Sequence, residues 1–86
     1  MWREEESSLV LNLRFEDFKG AFAFMTEVAT LAEQQQHHPD WHNVYNRVEL
    51  RLTTHDAGNK VTQKDRLLAD AIAGLPTLKM AITEAS

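Results

Sequence analysis

The stretch Leu9–Gln36, LVLNLRFEDFKGAFAFMTEVATLAEQQQ, changes its period partway along. Leu9, Leu11, Leu13 and Phe15 alternate with Val10, Asn12, Arg14 and Glu16, which predicts a strand from Leu9 to Phe15 with one oily face. After Phe15 the apolar spacing becomes helical. Phe18, Phe22, Met25, Ala29 and Ala32 form a stripe that Ala21, Phe24, Val28 and Leu31 widen on one side. Glu16 and Asp17 fall in the first turn, where the helix dipole favours negative charge. The predicted helix runs from Asp17 to Gln36 and stops before Pro39, because the residue preceding a proline is pushed out of the helical region. Glu33 follows Ala29 by four residues, which puts it at the edge of the buried stripe.

Upstream, Trp2–Glu4 reads as a short preceding strand, with Ser7 and Ser8 near a turn. Downstream, HHPDWHNVYNRVELRLTTHD (37–56) is extended. Val48, Leu50 and Leu52 alternate with Arg47, Glu49, Arg51 and Thr53, so one face is buried and the other polar. Trp41 and Tyr45 flank an expected bend around His42–Val44 that starts this region as a hairpin. His55 has the parity of the polar face at the strand's end, and Gly58–Asn59 mark a turn. Thr62 and Asp65 have the spacing of a capped helix start, followed by an apolar stripe of Leu68, Ala71, Ile72 and Leu75. Gly74 and Pro76 end that helix, and Thr77–Ser86 forms a further helical turn or frays. The order strand, helix, one or two strands, helix predicts an α+β domain, a small antiparallel sheet with two main helices packed on one face.

The whole chain of 86 residues fits one domain. With 9 basic against 13 acidic side chains and no long Lys/Arg run, it is not built for nucleic acid. Glu4–Glu6 stand where a signal peptide would be basic and then apolar, and no apolar run approaches the roughly 20 residues that span a bilayer. These features, with no cysteine, fit a cytoplasmic protein. A chain so short, with no disulfide, is a candidate for self-association.

The four histidines fall at 37, 38, 42 and 55, and three readings compete for them. A metal site is one, since imidazole is the commonest ligand, but Pro39 and Asp40 break the helix that would align His38 with His42. Surface loop histidines are the second. Acid–base chemistry is the third, because imidazole exchanges a proton near neutral pH. Neighbours in an extended chain point apart, so a turn at Pro39 is needed to bring His37 and His38 to one pocket.

Glu33-x3-His37-His38-Pro39-x-Trp41-x2-Val44-Tyr45-Asn46-x-Val48, followed by Thr54-His55-Asp56, resembles the pterin-4a-carbinolamine dehydratase family, also known as the dimerisation cofactor of a homeodomain transcription factor. The resemblance runs from Trp2 through Phe15, Asp17-Phe18, Ala21 and Phe24-Met25 to Asp65 and Ala69; the tail after Gly74 lies outside it. It implies a hydro-lyase that dehydrates 4a-hydroxytetrahydropterins, released by aromatic amino-acid hydroxylases, to quinonoid dihydropterins without metal or organic cofactor. It implies that His37, His38 and His55 converge on the 4a-hydroxyl, His37 and His55 moving protons and His38 orienting. Glu33 would tune a histidine or accept a proton, Trp41 would lie beside the pterin, and Thr54, Asp56 and Asp65 would complete the binding residues. Asp65 is also explained as a cap, and His42 is left as a surface residue. The resemblance further implies homodimers or homotetramers. The alternative is a non-enzymatic binding or assembly module on the same fold. Members commonly carry a helix before the residue matching Trp2, for which this chain has no room, and the loop Ala57–Val61 is one residue longer than usual.

Overall fold

The computed structural model describes residues 1–84. Four antiparallel strands form the sheet in the order β1 (Arg3–Glu5), β2 (Ser8–Arg14), β4 (Arg47–Leu52), β3 (Asp40–Val44). A two-residue strand, β5 (Thr83–Glu84), pairs with β2 beyond the reach of β1. Helices α1 (Phe18–Gln35) and α2 (Gln63–Ala73) complete the α+β architecture. Leu9, Leu11 and Leu13 of β2 lie opposite Leu52, Leu50 and Val48 of β4, so a single face of the sheet carries the aliphatic rows. Phe24, Val28, Leu68 and Ile72 of the two helices belong to the same buried cluster, and both helices therefore cover that face.

Turn chemistry sets the hairpins. Glu6 and Ser7 both take positive φ between the paired Glu5 and Ser8, the backbone twist that suits a two-residue connection. The second hairpin bends at Tyr45–Asn46 rather than at His42–Val44, which lies within β3. Val44 pairs with Arg47, and Tyr45 sits at φ 52°. The Asn43 amide donates to the carbonyls of Tyr45 and Arg47, while the Asn46 amide donates to the Phe15 carbonyl at 2.9 Å. Phe15 N–H returns a bond to the Asn46 carbonyl. The turn is thereby tied to the segment that launches α1.

Asp17 is the N-cap of α1 and not a first-turn residue; its carboxylate accepts from Gly20 N–H at 2.8 Å. Replacing it by alanine is expected to cost about 1 kcal/mol, read as a lower denaturant midpoint with unchanged slope. The buried face of α1 is Ala21, Phe24, Val28 and Ala32. Phe18 and Phe22 face outward and stack on each other, and Ala29 is exposed, so the row expected to lead the stripe mostly faces solvent. Both rows have helical spacing; packing of Phe24 against Phe15, ring centroids 5.4 Å apart, selects between them.

In α2 the buried side chains include Ala69, with Ala71 only half-buried. The expected helical continuation after Gly74 is a 3-10 turn, Pro76–Met80, followed by β5; residues 85 and 86 of that expectation lie outside the described residues. No helix among the described residues is long and apolar enough to cross a membrane.

Candidate functional site

Helix α1 ends on Gln36 in the left-handed region, φ 52°, with His37 N–H bonded back to the Ala32 carbonyl. That reversal delivers His37 and His38 to different partners. His37 Nε2 lies 2.5 Å from Asp65 Oδ1, across 28 residues of sequence. Asp65 is fully buried and the imidazole is 12% exposed. The other Asp65 oxygen accepts from Thr62 N–H at 2.9 Å and from the Thr54 hydroxyl at 2.7 Å. Thr54 and Thr62 also share a hydroxyl–hydroxyl contact of 2.6 Å. Asp65 is thus the cap that its spacing with Thr62 predicts, and it also ties the end of α1, the segment after β4 and the start of α2 together.

Burial pushes the Asp65 carboxyl up, but the bonds from His37, Thr62 N–H and Thr54 outweigh it and hold the group below its ordinary value. Asp65 is therefore a carboxylate at neutral pH. A carboxylate accepts only, so Nε2 carries the His37 proton and Nδ1 of the neutral ring is left with its lone pair.

His38 Nε2 lies 2.7 Å from Glu33 Oε2, with the histidine 58% and the glutamate 73% exposed. Glu33 is on the wet side of α1 and not at the edge of the buried stripe. With Ala29 itself exposed, the residue four further on follows it into solvent. So exposed a pair orients the imidazole more than it stabilises the fold.

His55 does not continue a strand, since β4 ends at Leu52. It opens an exposed 3-10 turn, His55–Ala57, with Nδ1 3.1 Å from Asn59 Oδ1. Gly58 and Asn59, both at positive φ, make the expected turn. Gly58 N–H bonds the His55 carbonyl, and Asn59 N–H bonds the Thr54 carbonyl, closing the loop on the histidine. Each of the three histidines therefore has one ring nitrogen held by a side chain, while among the described residues the other makes no side-chain bond.

Trp41 lies opposite Leu50 and packs, half-buried, against the core. His42, one residue on, points to the opposite face of the sheet. Thr54 is buried with its hydroxyl engaged by Asp65 and Thr62, and Asp56 is exposed on the 3-10 turn.

Two open cavities flank the His37–Asp65–Thr54 chain. One, of about 320 Å³, is lined by Gln35, His37, Lys64 and Leu67. The other, of about 340 Å³, is lined by Thr54, Asp56, Ala57, Thr62, Gln63 and Lys64. Lys64 belongs to both and was not among the candidates read from the sequence. The capped helix start was the available signal, since it puts Lys64 on the first turn beside Asp65. Among the described residues no three His, Asp or Glu side chains are placed to hold a metal ion.

Comparison with known proteins bears on this geometry. A family model described as pterin 4 alpha carbinolamine dehydratase matches residues 1–75. A relative from Synechococcus sp. (strain WH7803) is 54% identical over 74 residues, spanning 86% of this chain and 78% of the relative. One from Christiangramia forsetii is 51% identical over 71 residues, spanning 83% and 72%. Both carry the name "Putative pterin-4-alpha-carbinolamine dehydratase". Among solved structures, a transcriptional coactivator/pterin dehydratase from Brucella melitensis superposes with TM-score 0.75 at 41% identity, covering 85% of this chain and 82% of that one. A pterin dehydratase-like protein identified as a RuBisCO assembly factor in the alpha-carboxysome gives TM-score 0.68 at 25% identity, covering 85% and 89%.

Proposed function

The chain belongs to the pterin 4 alpha carbinolamine dehydratase family, and from that premise we propose that it is an active hydro-lyase: it dehydrates 4a-hydroxytetrahydropterins to quinonoid dihydropterins. The reaction removes the proton from N5, forms the C4a–N5 double bond and breaks the C4a–oxygen bond. The departing hydroxyl takes a proton and leaves as water. One base and one acid suffice, and no electron changes hands.

The observation that carries this reading is the state of the histidines. Three imidazoles, each with one nitrogen engaged, supply both halves of the proton traffic. His37 and His55 are assigned to proton removal and delivery. The buried Asp65 carboxylate supports His37 in the tautomer whose Nδ1 can accept a proton, and stabilises the imidazolium that results. His38, held by Glu33, orients the substrate. Trp41 offers an apolar face to the flat heterocycle, while Thr54 and Asp56 complete the binding side. Neither metal nor organic cofactor takes part.

In this reading the protein is one cytoplasmic domain that regenerates tetrahydropterin for an aromatic amino-acid hydroxylase. It works as a homodimer or homotetramer, for which the open edge of β3 and the outward Phe18–Phe22 stack offer surfaces. The test is acceleration, above the spontaneous rate, of dehydration of enzymatically generated 4a-hydroxytetrahydropterin, followed by ultraviolet absorbance.

A second reading, a non-enzymatic assembly module, draws on the likeness to the RuBisCO assembly factor. A scaffold has a structural use for the buried His37–Asp65 pair but none for the exposed His38–Glu33 pair or for His55.

A further inference from the structure

Among the described residues Lys64 is the one lysine or arginine lining the two cavities beside His37 and Thr54, and both cavities share it. Its place on α2 runs against local electrostatics. It is the second helical residue, where the positive end of the helix dipole disfavours an ammonium. Thr62 and Asp65 on either side are accounted for by starting the helix; Lys64 is not. Two carboxylates are near at hand, Asp65 next in sequence and Asp56 on the same cavity wall. Yet among the described residues Lys64 forms no ion pair. Asp65 directs its oxygens to His37, Thr54 and Thr62 instead. A cation with no side-chain partner among the described residues, shared by a cavity that His37 lines and one that Thr54 and Asp56 line, is placed to meet a ligand.

We propose that Lys64 determines substrate binding by donating a hydrogen bond to the ring carbonyl oxygen of the pterin; this rests on the dehydratase reading of the same site. A pterin carries a carbonyl at C4, the carbon bonded to C4a. An ammonium on that oxygen holds C4a, which loses hydroxide, within the neighbourhood of His37. The carbonyl is present in substrate and product alike, so the contact contributes uniform binding rather than transition-state stabilisation.

The experiment compares wild type, Lys64→Met and Lys64→Arg by two readouts. One is steady-state dehydration of 4a-hydroxytetrahydropterin. The other is the Kd for biopterin, a stable pterin that cannot be dehydrated, from quenching of tryptophan fluorescence. Lys64→Met is expected to raise both KM and Kd about tenfold, with kcat within twofold of wild type. Lys64→Arg should recover most of the loss. The exposed position predicts unchanged melting temperatures, so misfolding is separable. Wild type that accelerates dehydration, with Lys64→Met matching its KM and Kd, overturns the Lys64 assignment alone. Wild type that binds biopterin without accelerating dehydration removes the dehydratase reading, and the ratio of Kd values then decides Lys64. Wild type that does neither overturns both.

Discussion

Replacing His37 or His55 by alanine is expected to lower the turnover of 4a-hydroxytetrahydropterin by about 100-fold or more, the usual range for losing a positioned general acid or base. The two substitutions should differ in what they do to the fold. The His55 ring is exposed and among the described residues bonds only Asn59, so His55→Ala should leave the denaturant midpoint unchanged. His37 is the partner of a buried carboxylate. Its removal takes away a charge-assisted bond and should cost about 1–3 kcal/mol while the protein still folds. Equal losses of turnover with unequal losses of stability would separate chemistry from architecture. A doubly substituted protein that turns over at the wild-type rate would sink the assignment of both residues.

The largest loss of stability is expected from Asp65→Ala, about 3–5 kcal/mol, because one side chain caps α2, receives the Thr54 hydroxyl and pairs with His37. Its pH dependence has a definite sign. The folded protein holds this carboxyl below its ordinary value of 3.8, so the unfolded chain takes up the proton first as acid is added. The contribution is complete above the ordinary carboxylate range and is lost as pH falls through the lowered native value. Denaturant midpoints measured from neutral pH down to about pH 3 should fall steeply in wild type. In Asp65→Asn the curve should start lower and be flatter across the acid range. An acid limb unaltered by Asp65→Asn would show that other carboxylates carry it.

Much of this was legible in the residues. The change of period near Phe15, the Thr62–Asp65 cap and the alternation Val48-Leu50-Leu52 set the element order and the face that meets the helices, because each is a local pattern with a local cause. Two features were not. Phe18 and Phe22 have the same helical spacing as Phe24 and Val28, and only the docking of Phe24 on Phe15 decides which row is buried. The bend of the second hairpin depends on Asn43 and Asn46 bonding carbonyls of the turn and of Phe15, a choice that alternation alone does not make.

The site divides in the same way. The histidines and Glu33 stand out in the sequence, and the His38–Glu33 contact follows from their closeness along the chain. The His37–Asp65 bond spans 28 residues and needs the left-handed Gln36 to bring it about. Spacing explained Asp65 fully as a cap, which hid its second role. Lys64 escaped notice because a lone lysine on a helix carries no signal until the cavities around it are seen.

The central claim is that this chain accelerates the loss of water from a pterin carbinolamine by its own imidazoles. It is tested most directly by generating 4a-hydroxytetrahydropterin enzymatically and following its dehydration by ultraviolet absorbance, with and without the protein and with a chelator present. Acceleration well above the spontaneous rate, unchanged by chelator, is the predicted result. Well-folded protein that leaves the spontaneous rate unchanged would contradict the claim and turn attention to the assembly-module reading.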